Sequence, residues 1–425
     1  MQEFNNFIND LAKLISINTQ KAEPTPNAPF GEGNKEALEY FLCLAKSFGF
    51  ETVNYDNYIG EVIFGSGEEF GIIGHLDVVP AGEGWNTDPF TLTEKDGAYF
   101  GRGTIDDKAP LLICLYALKE LKDEGFIPNK KFRLIAGTNE ETGWKDIEYF
   151  NKVTSAPTHG FSPDGNFPLS YAEKGVAIVK FSLEKFKNFY NLKGGTVINA
   201  VCAKASVKAK DKVDKSLLKK YNLNFNAGVI ESVGKTAHGS SPSLGVNALK
   251  NLFLFLLESG ENVKEIIDNL FTNDYALKGL ESEQGQTTLS PNLAYEKDGN
   301  VFIECDCRFP YPIEFNDLLK VIDKFNISYT ASEKHPTQYV EKDGEMIRAL
   351  IKAYNKSTNE NGEPISLGGS TFARVFNKGV SFGPEFYGSN SGPHEANENI
   401  KKDEIIKCFN IYKNAIININ GVKNL

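Results

Sequence analysis

The feature that most constrains this chain is a regular alternation of short apolar segments with helical patterns. Apolar runs bounded by glycine or polar residues lie at 61–64, 70–74 and 132–136. Helical patterns lie at 35–47, 108–122 and 145–152. Strands that alternate with helices of about 10 to 15 residues are typical of an α/β domain with a mostly parallel sheet. We therefore predict such a sheet, flanked by helices, for the first part of the chain.

The pattern changes after residue 175. Long strand patterns cover 175–183 and 196–208, and a turn at 296–300 separates two further apolar runs. Such a turn between two strand patterns predicts a hairpin. Strand pairs with few helices indicate a smaller α+β domain with an antiparallel sheet.

Near residue 344 the alternation of strand and helix patterns returns. The sequence therefore predicts one discontinuous domain, formed by residues 1–175 and 341–425. An inserted α+β domain, residues 176–340, interrupts it.

The composition of the chain indicates which partners it can bind and in which cellular compartment it is found. Lys and Arg total 46 and Asp and Glu total 56, which gives a net charge of −10. A chain this acidic is a poor candidate for binding nucleic acid or an anionic membrane, so we expect neither as a partner. No apolar run approaches the roughly 20 residues of a membrane span. The N-terminus has no basic segment typical of a secretory signal, and the six cysteines lack the spacing of a disulfide framework, so we predict a cytoplasmic protein.

Among five histidines, His75 stands out because it directly follows the apolar run at 71–73 and lies two residues before Asp77. Alternate residues of a strand point the same way, so both side chains can face one pocket at the carboxyl end of a strand. A nearby carboxylate can orient a ligand histidine and raise its basicity. For this pair alone, a surface histidine beside a loop acid is the alternative.

Two acidic pairs follow the same logic. Asp106 and Asp107 precede a helical pattern, so one of them could simply cap that helix. Glu140 and Glu141 follow the third apolar run. Because adjacent side chains diverge, one glutamate could bind a metal while the other faces the bound water as a general base. Solvated loop acids are the alternative for this pair.

Two more candidates complete a set. Asp164 lies in a Ser-Pro-Asp-Gly segment, for which a plain turn is the alternative, and His394 lies just before the last helical pattern. The predicted set of metal ligands is His75, Asp106, Glu141, Asp164 and His394. Nitrogen and carboxylate ligands without thiolate suit zinc, manganese or cobalt. Two divalent ions bring four positive charges against three carboxylates, and the excess favours a bound hydroxide and later an oxyanion.

The motifs that contain these residues resemble, in family order, the co-catalytic zinc exopeptidases. That family includes carboxypeptidase G, aminoacylase and succinyl-diaminopimelate desuccinylase. The motifs are Gly74–Pro80 continuing to Phe90, Gly101–Lys108, Asn139–Gly143, Phe161–Asp164 and Gly234–Pro242. The chain is most similar to the dinuclear-zinc dipeptidase branch, the dipeptidase V and Xaa-His dipeptidase type, over nearly its whole length. The resemblance implies a zinc exopeptidase-like catalytic domain with an inserted lid domain.

The resemblance also implies a role for each ligand. His75 and Asp164 would hold one metal ion, Glu141 and His394 would hold the other, and Asp106 would bridge them.

Further roles follow from the same resemblance. Glu140 would be the general base, and Asp77 would orient His75. His238, from the inserted domain, would stabilise the carbonyl oxygen in the transition state. Arg308 would receive the C-terminal carboxylate of the substrate, with a surface salt bridge as the alternative. The remaining predicted substrate contacts are Asn199, which lies in a strand pattern where asparagine is unfavourable, and the loop residues Gly369, Ser370 and Thr371.

The predicted activity is metal-dependent hydrolysis of dipeptides, or short peptides with a free C-terminus, by two divalent ions per chain. Zinc is expected, with manganese or cobalt as alternatives. An N-acyl amino-acid amidohydrolase would use the same metal chemistry with a different acyl pocket. A catalytically silent peptide-binding protein would be expected to lack Glu140 or a ligand. The insertion is long enough, by the resemblance, for one chain to supply His238, so the active site should work in a monomer, and a dimer is possible.

Overall fold

The computed structural model describes residues 2–423 and divides them into two units. The first unit comprises the residues up to Tyr171, Val340–Ile365 and the residues from Thr371 onward. The second comprises Ala172–Tyr339 and Ser366–Ser370. The first unit is α/β and the second is α+β, which confirms the predicted fold class. Ser366–Ser370 belongs to the second unit, although the predicted bounds placed this segment with the first.

The first unit contains a central sheet and helices that cover it. Its helices are Gln2–Ser16, Glu32–Ser47, Lys108–Asp123, Lys145–Val153, Glu345–Thr358 and Lys402–Asn420, with a 3₁₀ turn at Phe372–Val375. Its strands are Glu51–Tyr55, Ile59–Gly65, Glu68–His75, Thr93–Lys95, Ala98–Phe100, Lys130–Gly137, His159–Ser162, Lys378–Ser381 and Asn399–Lys401, and Ser170–Glu173 and Ile365–Leu367 lie at the boundary with the second unit.

The centre of this sheet is parallel. Glu68–His75 lies between Lys130–Gly137 and His159–Ser162, and both neighbours run parallel to it. Lys378–Ser381 continues the parallel arrangement beside His159–Ser162. Antiparallel strands form the flanks, beginning with Ile59–Gly65. Because the carboxyl ends of parallel strands meet at one edge, the segments that follow the central strands lie together there.

The helix Lys108–Asp123 begins directly after the candidate residues Asp106 and Asp107. It is buried on nearly every side, because leucines such as Leu111, Leu112 and Leu115 have no exposed surface. A helix that is apolar all round belongs in a core. It packs on the strand Glu68–His75 and on the last helix, Lys402–Asn420.

The second unit is built on an antiparallel sheet. The strand order is Asn224–Asn226, Val229–Val233, Lys204–Ala209, Phe189–Gly194, Gly285–Lys297, Asn300–Phe309, Gly175–Glu184 and Ser328–His335, with Ala276–Ser282 also paired to Gly285–Lys297. The short strand Gln338–Tyr339 is not part of this sheet and pairs with Ala172 and Glu173. Its helices are Lys215–Lys220, Ala248–Glu258, Lys264–Leu270 and Phe315–Ile322, with 3₁₀ turns at Pro242–Leu244, Asn273–Tyr275 and Asp323–Phe325. Ala248–Glu258 packs its leucines and phenylalanines into the same apolar cluster as the sheet.

One predicted strand is wrong. The pattern at 196–208 suggested a single strand, but the structure has strands only at Phe189–Gly194 and Lys204–Ala209, and Asn199 lies in a turn between them. Backbone groups of this turn bond to distant segments instead of a neighbouring strand. Asn292 Nδ2 donates to Ile198 O at 2.7 Å, and the Gly239 N–H donates to Asn199 O at 2.7 Å. Asn199 is therefore not a strand residue, and a turn is a position where asparagine is common.

Within residues 2–423, none of the helices combines the length and the apolar character that crossing a membrane would require.

Candidate metal centre

His75 is the last residue of the strand Glu68–His75 and is fully buried. Its Nδ1 lies 3.0 Å from the carbonyl oxygen of Asp77 and 3.5 Å from Asp77 Oδ1. Asp77 therefore contacts Nδ1 of the ring, and Nε2 points away from Asp77. Nε2 lies 3.0 Å from Asp106 Oδ1 and 3.7 Å from Asp164 Oδ2.

Asp106 divides its carboxylate between two histidines. Oδ1 faces His75, and Oδ2 lies 2.8 Å from His394 Nε2. The same His394 nitrogen lies 3.2 Å from Glu141 Oε1. The geometry gives two groups, His75 with Asp164 and His394 with Glu141, which share the carboxylate of Asp106.

Electrostatics at this cluster favour positive charge. Burial would lower the pKa of His75, but the carboxylates of Asp106, Asp164 and Asp77 raise it well above its usual range. Burial opposes protonation of His394 too, yet Asp106 and Glu141 raise its pKa to about 11. Burial would raise the pKa of Asp106, and the two histidines instead lower it. Carboxylates this concentrated attract cations, and they raise the pKa values of both histidines.

Asp77 also fixes the loop that follows the next strand. Its Oδ1 accepts a hydrogen bond from the Glu140 N–H at 3.0 Å, and its Oδ2 accepts one from the Glu141 N–H at 3.1 Å. Burial raises the pKa of the Glu140 carboxyl well above its usual range, and the neighbouring acids Glu141 and Asp164 raise it further against the lowering effect of His75. A carboxyl group with a raised pKa is suited to take up and release a proton near neutral pH.

The strand that ends at His75 lies so close to the Asp107 carboxylate that only glycine fits at position 74. Asp107 Oδ2 accepts a hydrogen bond from the His75 N–H at 3.1 Å. A Cβ on Gly74 would lie 2.1 Å from this oxygen, so a side chain there would displace Asp107. Asp107 is the N-cap residue of the helix Lys108–Asp123, but its side chain makes no capping hydrogen bond, so its carboxylate serves the His75 N–H and not the helix.

Glu398 was not among the predicted site residues. This residue has no exposed surface, and its Oε1 accepts hydrogen bonds from the N–H groups of Gly103, Ile105 and Asp106 at 3.0, 2.9 and 3.2 Å. Its Oε2 lies 2.5 Å from Nη1 of the buried Arg102. Glu398 therefore holds the loop that carries Asp106. The signal was an arginine between two glycines, Gly101-Arg102-Gly103, which needs a partner if it is buried.

Asp146 was also missed. It is buried, and its Oδ2 accepts hydrogen bonds from the N–H groups of Thr138 and Asn139 at 2.8 and 2.9 Å. These residues lead directly to Glu140 and Glu141, so Asp146 and Asp77 hold the two sides of one short loop.

A separate polar cluster lies in the second unit. Arg308 forms a bidentate pair with Asp306, with Nε to Oδ1 at 2.7 Å and Nη2 to Oδ2 at 2.9 Å. Arg308 Nη1 also lies 3.4 Å from Gly368 O. Both side chains of the pair are buried, so the alternative of a surface salt bridge is wrong. A guanidinium has five N–H groups, so one on Nη1 and one on Nη2 are left along the edge that faces away from Asp306.

All but one of the other predicted substrate contacts lie in the same unit. The backbone of Asn199 accepts the Gly239 N–H, and His238 lies next to that glycine. Gly369 and Ser370 belong to the second unit, whereas Thr371 belongs to the first. The Thr371 side chain accepts a hydrogen bond from the Ala373 N–H at 3.1 Å and caps a 3₁₀ turn.

Residues 71–418 match the model of Peptidase family M20/M25/M40. The chain belongs to this family. The β-Ala-Xaa dipeptidase of Lactobacillus delbrueckii subsp. lactis is 33% identical over 459 residues, which cover 98% of this chain and 97% of the relative. Among solved structures, the dipeptidase Dug1p of Saccharomyces cerevisiae has a TM-score of 0.61 at 16% identity and covers 99% of this chain and 97% of its own. A dinuclear metal-binding M20 peptidase of Bacillus subtilis has a TM-score of 0.52 at 12% identity and covers 98% of both chains. These two structural likenesses show the fold.

Membership in the M20/M25/M40 family confirms the family predicted from the motifs, and the predicted class of enzyme, a peptidase, is confirmed with it. Metal binding is general for these peptidases. The cluster in the first unit fits that property, because the ligand atoms of His75, Asp106 and Glu141 all lie within 4.8 Å of one another. Nε2 of His75 and Oε1 of Glu141 are buried and make no hydrogen bond within residues 2–423. A divalent cation would satisfy both atoms.

Proposed function

We propose that the protein hydrolyses dipeptides at a dinuclear metal site held by the first unit. The observation that carries this proposal is the shared carboxylate of Asp106, whose two oxygens face His75 and His394. Asp164 beside His75 and Glu141 beside His394 would complete the two ligand sets. Two histidines and three carboxylates suit zinc or manganese.

Two divalent cations in these positions would lower the pKa of the attacking water and polarise the scissile carbonyl. The chain's own contribution begins with Glu140, which takes a proton from that water and returns it to the departing amine. Asp77 holds the Glu140 backbone, so the carboxyl group is positioned before substrate arrives. The Nε2 of His75 remains a ligand atom because Asp77 engages Nδ1.

The second unit would supply the groups that bind the substrate itself. Arg308 is oriented by Asp306 and retains the N–H edge described above, which matches the two oxygens of a carboxylate. We therefore assign it the C-terminal carboxylate of a short peptide. His238 would donate a hydrogen bond to the carbonyl oxygen as negative charge develops there.

The substrate class can be tested directly with a matched panel. Each dipeptide, including a β-Ala-Xaa member suggested by the name of the Lactobacillus relative, is assayed beside its C-terminally amidated form and beside the corresponding N-acetyl amino acid. We expect turnover of free dipeptides and a large loss of kcat/KM on amidation. Preferential turnover of N-acetyl amino acids would instead favour the amidohydrolase.

Two finer points belong to the proposal. We propose zinc as the native ion, which metal analysis of the purified protein and assays with zinc, manganese and cobalt would test. We also propose that the protein is located in the reducing cytosol. The six free cysteines, five of them buried, support this location, because free thiols persist in a reducing compartment. Fractionation of the native cells would test this location.

A further inference from the structure

The ring of His238 is held on one side by Ser240. His238 Nδ1 lies 2.7 Å from Ser240 Oγ, and the backbone N–H of Ser240 donates to the same nitrogen at 3.2 Å. These contacts come from a residue only two positions away, so they persist wherever this segment keeps its backbone conformation.

The backbone contact shows that Nδ1 is an acceptor, so the Ser240 hydroxyl, which makes the shorter of the two contacts, must donate to it. A hydroxyl group can donate or accept, but a backbone N–H can only donate. Nδ1 must therefore accept, and a neutral imidazole whose Nδ1 accepts carries its proton on Nε2.

The backbone of this segment is fixed by its neighbours in the second unit. The Gly239 N–H donates to Asn199 O at 2.7 Å, and Ala200 and His238 form a β-bridge. A Cβ on Gly239 would lie 2.2 Å from Asp306 Oδ2, so glycine allows the segment to rest directly on the carboxylate that orients Arg308. The donor from Ser240 is thus built into the same structure that positions Arg308.

We propose that Ser240 is a positioning residue that keeps His238 in the tautomer protonated at Nε2. This inference rests on the proposed function, in which His238 donates a hydrogen bond to the carbonyl oxygen of the substrate. A proton on Nε2 before substrate binds means that no tautomer change is needed as the oxyanion forms. In this role Ser240 acts through His238.

Ring nitrogen NMR tests the tautomer independently of activity. Zinc-loaded protein is labelled with ¹⁵N in its five histidine rings, and the His238 signals are identified by their loss in His238→Ala. We expect a protonated Nε2 and an accepting Nδ1 in the wild type. Ser240→Ala keeps the 3.2 Å backbone contact but loses the shorter hydroxyl bond. Both shifts should therefore move part of the way toward the average of the two tautomers, and Ser240→Thr, which keeps the hydroxyl, should restore them.

The matched control is Ser241→Ala. Ser241 precedes the 3₁₀ turn Pro242–Leu244, but its side chain makes no capping hydrogen bond, so the His238 shifts should not change. A protonated Nδ1 in the wild type, or wild-type shifts in Ser240→Ala, would overturn the proposal.

Kinetics test the consequence. Ser240→Ala should lower kcat for a dipeptide about fivefold, the equivalent of one hydrogen bond of about 1 kcal/mol, with KM nearly unchanged and with recovery in Ser240→Thr. An unchanged kcat in His238→Ala would show that the proposed role of His238 is wrong, and the catalytic part of the inference would fall with it. An unchanged kcat in Ser240→Ala alone would overturn only the positioning role.

Discussion

The carboxylate of Asp77 accepts a hydrogen bond from the backbone N–H of Glu140 at 3.0 Å. Asp77 follows one central strand and Glu140 follows the neighbouring one, so this bond ties together two segments at the carboxyl edge of the sheet. The same aspartate engages Nδ1 of His75. One side chain thus orients a candidate metal ligand and positions the candidate general base.

We predict that Glu140→Gln abolishes turnover and leaves the metal content nearly intact. The general base should contribute on the order of 100- to 10,000-fold, whereas Gln keeps the shape of the side chain. Elemental analysis of the variant, alongside a dipeptide assay, checks both parts. Loss of one metal ion per chain would mean that Glu140 and Glu141 have exchanged roles.

Removing Asp106 and removing His394 should have different effects on metal stoichiometry. Asp106 faces both histidines, so Asp106→Ala should deplete both ions, and His394→Ala should weaken mainly one. Metal analysis after gel filtration measures this difference. Equal metal loss in the two variants would count against a bridging carboxylate.

The candidate site was predictable where its residues directly follow a strand pattern. His75, Glu141 and Asp164 each follow a buried run, and topology alone brings such positions together. Glu398 was not predictable in this way, because its backbone partners lie 292 to 295 residues away along the chain. The roles assigned to all of these residues stay predictions until variants are measured.

The failed strand at 196–208 has a similar cause. Its β-branched residues favour extended structure locally, but the turn gains hydrogen bonds from Asn292 and Gly239, which no local pattern reveals. Tertiary contacts outweighed propensity there. The long antiparallel strands on either side of the hairpin turn were predictable, since alternation and turn chemistry agree.

Glu398→Gln should weaken metal binding about 10- to 100-fold, because the Asp106 loop loses the charge that pairs with Arg102. The variant should also unfold more readily, since a buried guanidinium is left without an ionic partner, at a cost of about 3 to 5 kcal/mol. Zinc competition with a chromophoric chelator measures the affinity. Glu404→Gln, a substitution of another buried acid near the start of the last helix, is the matched control and should keep wild-type affinity. Wild-type zinc affinity in Glu398→Gln would show that Glu398 does not hold the Asp106 loop in its metal-binding position.

Asp306→Asn should raise KM about tenfold for dipeptides, with a smaller change in kcat. An amide NH₂ cannot accept the second hydrogen bond from Arg308, so the guanidinium loses its fixed orientation. Asp317→Asn, at an exposed acid of the same unit, controls for the change in charge. If KM rises equally for amidated dipeptides, Arg308 does not recognise the carboxylate.

Stability should depend on pH through Lys108. Its Nζ is buried and donates to Leu14 O at 2.9 Å and Ile17 O at 2.8 Å, and burial lowers its pKa from 10.5 to about 7. Above about pH 7 the unfolded chain binds more protons at this lysine than the folded chain does, so its contribution to the free energy of unfolding rises with pH.

Lys108→Met removes this titration. The free energy of unfolding of the wild type minus that of the variant should increase by up to about 1.4 kcal/mol per pH unit between about pH 7.5 and 9. Urea unfolding of the metal-free proteins across this range gives the two slopes. Parallel slopes would show that Lys108 keeps an ordinary pKa in the fold.

We expect dipeptide hydrolysis to require two divalent cations per chain, one for each of the two ligand sets that share Asp106. The most direct measurement is a titration of metal-free protein with zinc, in which dipeptide turnover is recorded at each added equivalent. We expect turnover to rise until two equivalents per chain are bound and then to level off, and we expect no recovery at any equivalent in Asp106→Ala. Full turnover at one equivalent, or without added metal, would contradict the dinuclear site.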